Sequence, residues 1–185
     1  MSKSLIAKEA AYAKLLQRIP AIVDALGTKQ PQAPEHFIQW LKDTEHSLQE
    51  FNAPEVSEIA AIRSKLYVNH YKSVTRKEQQ KACCENLPDA QAVIFRLYEE
   101  VSSPIKEAKK LLAPMLAAVA QSGAVTYGAS DNFQIFIEKL SQILNQHEQL
   151  KASMVHVNAL VPVHDCLWLL ADMVDLEVWP RPKAA

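Results

Sequence analysis

The sequence predicts an all-α protein: a single-domain bundle of about seven or eight helices with a long central helix and a buried C-terminal helix. Three observations predict it. Only 3 glycines occur in 185 residues. No segment sustains the apolar/polar alternation of a half-buried strand, and apolar residues recur three and four apart nearly everywhere, which is the helical period. With 49% hydrophobic residues, a chain of this length has enough apolar side chains for one core.

The first helix is predicted over residues 4–26. Pro20 lacks an amide donor and predicts a kink or break within it, and Gly27 is placed to stop it. A loop covers 28–33. Pro34 opens a second helix, because a first-turn residue has no intrahelical acceptor for its N–H and proline loses nothing there. In that helix Phe37, Trp40, Leu41, Leu48 and Phe51 form one stripe. Asn52-Ala53-Pro54 separates it from a third helix ending near Tyr71, and the two are predicted to form an antiparallel hairpin.

Thr75 with Glu78 three residues on fits a capping box, which starts a short polar helix ended by Pro88. Two further helices are predicted over 88–101 and 104–121; the second carries Leu111, Leu112, Leu116 and Val119 and is closed by Gly123. A Ser130-Asp131 cap then begins the longest continuous pattern, over 131–161, with Phe133, Phe136, Ile137, Leu140, Ile143, Leu144, Met154 and Val161. This is the predicted central helix. The last helix, over 162–178, is apolar on most of its circumference through Leu167, Trp168, Leu169, Leu170, Met173, Val174 and Leu176, the pattern of burial within the fold or against another subunit. Trp179-Pro180-Arg181-Pro182 cannot continue it. Residues 1–178 therefore read as one helical domain and 179–185 as an extended C-terminal tail.

Composition excludes several function classes. A charged fraction of 22% and a formal net charge of -1 give no global attraction to nucleic acid or to an anionic membrane. The 3 cysteines, Cys83, Cys84 and Cys166, offer neither a disulfide framework nor a paired metal spacing, and a cytoplasmic location is expected. Met1-Ser2-Lys3-Ser4 leads directly into an amphipathic stretch rather than an apolar signal core. The longest uncharged window, between Lys110 and Asp131, is interrupted by Pro114, Gln121, Ser122, Gly123 and Gly128, so no membrane-spanning helix is expected. Without a glycine-rich phosphate loop, a nucleophile elbow or a metalloprotease helix motif, no cofactor and no metal are expected.

Four constellations remain to carry chemistry. Arg63 and His70 lie about 20° apart on an ideal helix, on the face shared by Ile59 and Leu66. An Arg followed at short spacing by a His resembles the motif of HEPN-type helical ribonucleases, in which such residues from two subunits meet in a dimer cleft. That resemblance implies that Arg63 holds the scissile phosphate and His70 acts as acid or base; Ser64 stands where the family has a polar amide-type residue. His164-Asp165, with His147 or His156 upstream, resembles the paired ligands of HD phosphohydrolases, but only Asp172 and Asp175 come after it where those enzymes draw a later aspartate.

The third constellation is a locally basic segment, Arg63, Lys65, His70, Lys72, Arg76, Lys77 and Lys81, interleaved with Tyr67 and Tyr71. It is the candidate surface for phosphate or an acidic protein. In the fourth, His147, Lys151 and Asn158 interrupt the stripe of the predicted central helix, either as a polar pocket or because the neighbouring helix has ended. Cys83-Cys84 forms no redox motif and reads as packing.

No catalytic set outweighs these, so the leading expectation is a non-catalytic protein-binding or scaffolding module with a protein partner or a second copy of itself. Two alternatives stand beside it: a nucleic-acid-binding regulator using the basic segment 63–81, with Arg63, Lys65, Lys72, Arg76, Lys77 and Lys81 as its contacts, and a metal-independent HEPN-like ribonuclease using Arg63 and His70.

Overall fold

The computed structural model describes residues 4–71, 75–128, 131–177 and 179–181, with the backbone alone for 68–71. The described residues form eight helices and no strand: α1 (Leu5–Gln17), α2 (Ile19–Gly27), α3 (Ala33–Glu50), α4 (Val56–Tyr71), α5 (Arg76–Ser122), α6 (Phe133–Gln146), α7 (Glu148–Leu160) and α8 (Val163–Met173). The all-α expectation holds. Among these residues no single helix is long and apolar enough to cross a membrane.

Two compact units share the chain. The first takes in Ala7–Val101; the second takes in Ser102–Ala185 together with the N-terminal Ser2–Ile6. In the first unit, Tyr12, Phe37, Trp40, Leu41, Leu48, Ile59 and Ile94 are fully buried. The break between α1 and α2 falls at Arg18, just before Pro20, as the missing amide requires. At this helix end the Leu15 carbonyl, which accepts the Arg18 N–H at 3.3 Å, also accepts the buried indole N–H of Trp40 at 3.0 Å. α2 ends at Gly27 as expected, but the left-handed residue of the turn is Lys29, with φ 55°. The Gln30 N–H reaches back over it to the Ala25 carbonyl at 2.9 Å. At the end of α3 the same role falls to Asn52, with φ 53°, a residue that tolerates this region better than most.

α3 and α4 pack as the predicted hairpin. Glu45 meets Arg63 and Lys42 meets Tyr67; residue numbers fall on one helix as they rise on the other, so the pair is antiparallel. The capping box is also present: the Thr75 N–H donates to Glu78 Oε2 at 2.8 Å and the Thr75 hydroxyl to the same oxygen at 2.7 Å.

Beyond the capping box the chain departs from expectation. Instead of three helices divided at Pro88 and near Pro104, α5 runs unbroken for 47 residues. Its buried stripe passes Cys83, Leu87, Ala90, Ile94, Leu97, Val101, Ile105, Ala108, Leu112, Met115 and Val119 in steps of three and four. Each proline frees only the carbonyl four residues earlier, and those residues, Cys84, Glu100 and Lys110, are all exposed. Exposure leaves those carbonyls open to hydration while the stripe continues to bury apolar surface. Residues 76–101 of α5 belong to the first unit and 102–122 to the second.

In the second unit the predicted central helix over 131–161 is two helices. The chain turns at His147, which has extended backbone (φ -70°, ψ 122°) and caps both α6 and α7. The N-cap of α6 is Asn132, whose side chain accepts from the Ile135 N–H at 3.2 Å; Asp131 instead accepts from the Gly128 N–H at 2.7 Å, and Ser130 lies outside the described residues. α8 stops at Met173 rather than 178 and is not buried on all sides. Cys166, Leu169 and Leu170 enter the core, while Trp168 is 66% exposed. The non-helical tail is docked, because Trp179 is buried and its indole N–H donates to the Val125 carbonyl at 3.1 Å.

Candidate functional site

Arg63 sits at the edge of the first unit's core, beside buried Ile59, Ile62 and Leu66. Its guanidinium grips Glu45 in a two-pronged pair, Nε donating to Oε1 and the second terminal nitrogen to Oε2 at 3.0 Å. The cause lies in α3. Glu45 falls between Leu41 and Leu48 on the buried stripe and is only 9% exposed, and a carboxylate there needs a cation. The pair holds Arg63 firmly charged. The same guanidinium lies 5.5 Å from the centre of the Tyr67 ring and Lys42 Nζ lies 5.8 Å from it. Hydrogen bonding to Lys42 and the Lys42 charge, with a smaller contribution from Arg63, hold the Tyr67 phenol below its ordinary range despite some desolvation. The side chain of His70 lies outside the described residues, as does Lys72.

The basic segment is largely neutralised where it is described. Arg76 makes a two-pronged pair with Glu35 at 2.7 and 2.9 Å, and Lys81 lies 3.7 Å from Glu85. With Arg63 on Glu45, Lys65 and Lys77 are the exposed members for which no ion pair forms among the described residues. Between α3, α4 and the start of α5 lies a cavity of about 260 Å³. Pro34, Ile38, Leu66, Ala82 and Cys83 form its apolar walls; Glu35, Gln39, Lys42, Tyr67 and Gln79 bring polar groups to it.

Cys83 and Cys166 are buried and Cys84 is exposed. Burial pushes the Cys83 thiol up to about 12 and the Cys166 thiol up to about 11. A thiol-specific reagent at neutral pH should therefore modify Cys84 alone in the folded protein and all three cysteines after denaturation, counted by mass spectrometry. The effect of alkali on stability has a definite sign. Above the unfolded thiol value of about 8.5 the unfolded chain releases protons that the folded chain retains. Stability should fall as pH rises from about 9 towards 12, with buried Tyr12 adding to the fall. Melting curves of Cys83→Ala and Cys166→Ala should show a shallower alkaline decline; an unchanged slope in both would refute the assignment.

The second unit places the other predicted residues apart. His147, Lys151 and Asn158 are exposed; the Asn158 amide donates to Asn145 at 3.1 Å. They face water because the helix turns at His147, not because they line a pocket. His156 lies 3.7 Å from Glu107. Asp165 is fully buried and accepts hydrogen bonds from the Ser4 hydroxyl and, at 2.7 Å, from the Leu5 N–H. Among the described residues no three His, Cys, Asp or Glu side chains are placed to share a metal ion.

A second concavity, of about 380 Å³, runs between α6 and α8. Phe133, Ile137, Leu167, Trp168 and Ala171 form its apolar surface, and Gln134, Glu138 and His164 its polar edge. The outward direction of Trp168 is hidden in the sequence, because its neighbours make the helix look apolar all round. Lys42, Glu45 and Tyr67 also escape motif reasoning, although a carboxylate on the apolar stripe of α3 is visible in the spacing. Compared with known proteins, the chain matches no family model, no curated protein and no solved structure.

Proposed function

We propose that this protein is a non-catalytic protein-binding module whose docking face is the groove between α6 and α8. The observation that supports this most is Trp168, 66% exposed beside Phe133, Ile137, Leu167 and Ala171. A tryptophan in water leaves a large apolar area uncovered, and such residues dominate the energetics of protein interfaces. The occupant we assign is an amphipathic helix of another protein, laying its apolar face along the groove. Its charge complement is a Lys or Arg directed at Glu138, which no cation among the described residues neutralises; its only described polar partner is Gln134 at 3.1 Å.

The test is selection of helical peptides from a displayed amphipathic library against the purified protein, followed by affinity measurement. Trp168→Ala should weaken the selected peptides by about thirtyfold or more, the loss typical of an interface anchor. Its melting temperature should stay near wild type, because the side chain is in solvent. Glu138→Lys should discriminate against peptides carrying the basic residue. Peptides that bind both variants as they bind wild type would overturn the assignment. So would sedimentation showing a wild-type dimer that Trp168→Ala dissociates, since the occupant would then be a second copy.

A further inference from the structure

We infer that the cavity between α3, α4 and the start of α5 is a binding site for a small carboxylate with a compact apolar body, of the size of an aryl acid. Charge is the first reason. Glu35 on the cavity lining has a cation of its own, Arg76 at 2.7 Å, and so do Asp43 and Glu45, the α3 carboxylates that flank Lys42 in sequence: Asp43 has Arg18 at 2.7 Å and Glu45 has Arg63. Lys42 lines the cavity and has no carboxylate within ion-pair distance among the described residues. One positive charge is therefore left over at the mouth, held beside the Tyr67 ring 5.8 Å away.

The walls restrict the rest of the ligand. Pro34, Ile38, Leu66, Ala82 and Cys83 form an uncharged wall against which a compact apolar body packs without losing hydration, while the polar Glu35, Gln39 and Gln79 complete the lining. At roughly 30 Å³ per liquid water molecule, a cavity of about 260 Å³ has the space of on the order of nine waters, enough for a single ring with its carboxylate. That suits an acid such as benzoate, with its carboxylate on Lys42 Nζ and the Tyr67 hydroxyl and its ring against Leu66 and Ala82. Such sites combine an apolar enclosure with a few polar groups that set orientation.

The probes are benzoate, phenylacetate and hexanoate, titrated into the full chain and followed by amide chemical shifts. At least one should saturate, with the largest shifts at residues 38, 42, 66 and 82. Benzyl alcohol, which keeps the body and lacks the charge, should bind at least about tenfold more weakly. Lys42→Gln should cost a similar factor and Lys42→Arg much less. Lys42 is exposed, so neither change threatens the fold, and unchanged spectra elsewhere will verify that. Ile38→Trp, filling the cavity from a half-buried wall, should abolish binding. Failure of all three acids to saturate, equal binding of benzyl alcohol, or indifference to Lys42→Gln would each overturn the inference. None of these outcomes bears on the groove around Trp168, which lies in the other unit.

Discussion

Trp40→Ala should destabilise the first unit by about 3–5 kcal/mol, the range for deleting a buried large aromatic side chain. Trp40 is 0% exposed, stacks on Phe37 with ring centres 5.9 Å apart, and donates its indole N–H to the Leu15 carbonyl at 3.0 Å. Truncation leaves a cavity where α3 meets the end of α1 and removes one of two donors to the Leu15 carbonyl, which keeps the Arg18 N–H at 3.3 Å. At roughly 2–4 °C per kcal/mol for a chain of this size, the melting temperature should fall by about 10 °C. Trp40→Phe separates the two contributions: it fills most of the volume but cannot donate, and should cost about 0.5–1.5 kcal/mol, the net worth of one hydrogen bond. Urea denaturation followed by far-ultraviolet circular dichroism measures both. A loss below about 1 kcal/mol for the alanine variant would show that the indole neither fills the core nor satisfies the α1 terminus.

The elements legible in the sequence are those whose ends are set by local chemistry. Pro34 opens α3, Asn52-Ala53-Pro54 closes it, and Thr75 with Glu78 begins α5, because each device acts within four residues. Two other local signals mislead. Pro88 and Pro104 resemble helix ends, but the stripe across them keeps its three-and-four step, and that period outweighs one missing donor whose acceptor reaches water. At His147 the reverse occurs. No Pro or Gly stands there, yet the chain turns, because the packing of the second unit and not local propensity sets that boundary. The candidate residues divide in the same way. Arg63 and Asp165 stand out as residue types, but the partners that define their work, Glu45 and Ser4, lie 18 and 161 residues away in sequence, and no spacing rule connects them.

Asp165→Ala should cost about 2–4 kcal/mol, because it removes the acceptor of two hydrogen bonds at a fully buried position. Asp165 stands in the first turn of α8 and accepts from the N–H of Leu5, the first residue of α1, at 2.7 Å. One carboxylate thus meets the positive ends of two helices, where a negative charge is favoured. Asp165→Asn keeps the shape but loses the charge and one acceptor oxygen, and should cost about 1–3 kcal/mol. Ser4→Ala should cost less, and the cycle of Ser4→Ala with Asp165→Asn should return a positive coupling, since the two side chains touch. His164, whose Nε2 lies 3.6 Å from Asp165 Oδ1, gives the pair its likeness to a metal-binding dipeptide, and the two roles respond oppositely to substitution. A carboxylate kept for a metal is poorly served without one, so its removal would leave the metal-free protein as stable as before or more so, and manganese or zinc would raise the wild-type melting temperature. A carboxylate that caps a helix gives the converse: a large loss on substitution, and no change on adding either ion. Thermal melts of the wild type, with and without metal, and of the two Asp165 variants decide between them; metal-dependent stabilisation abolished by Asp165→Asn would overturn the capping role.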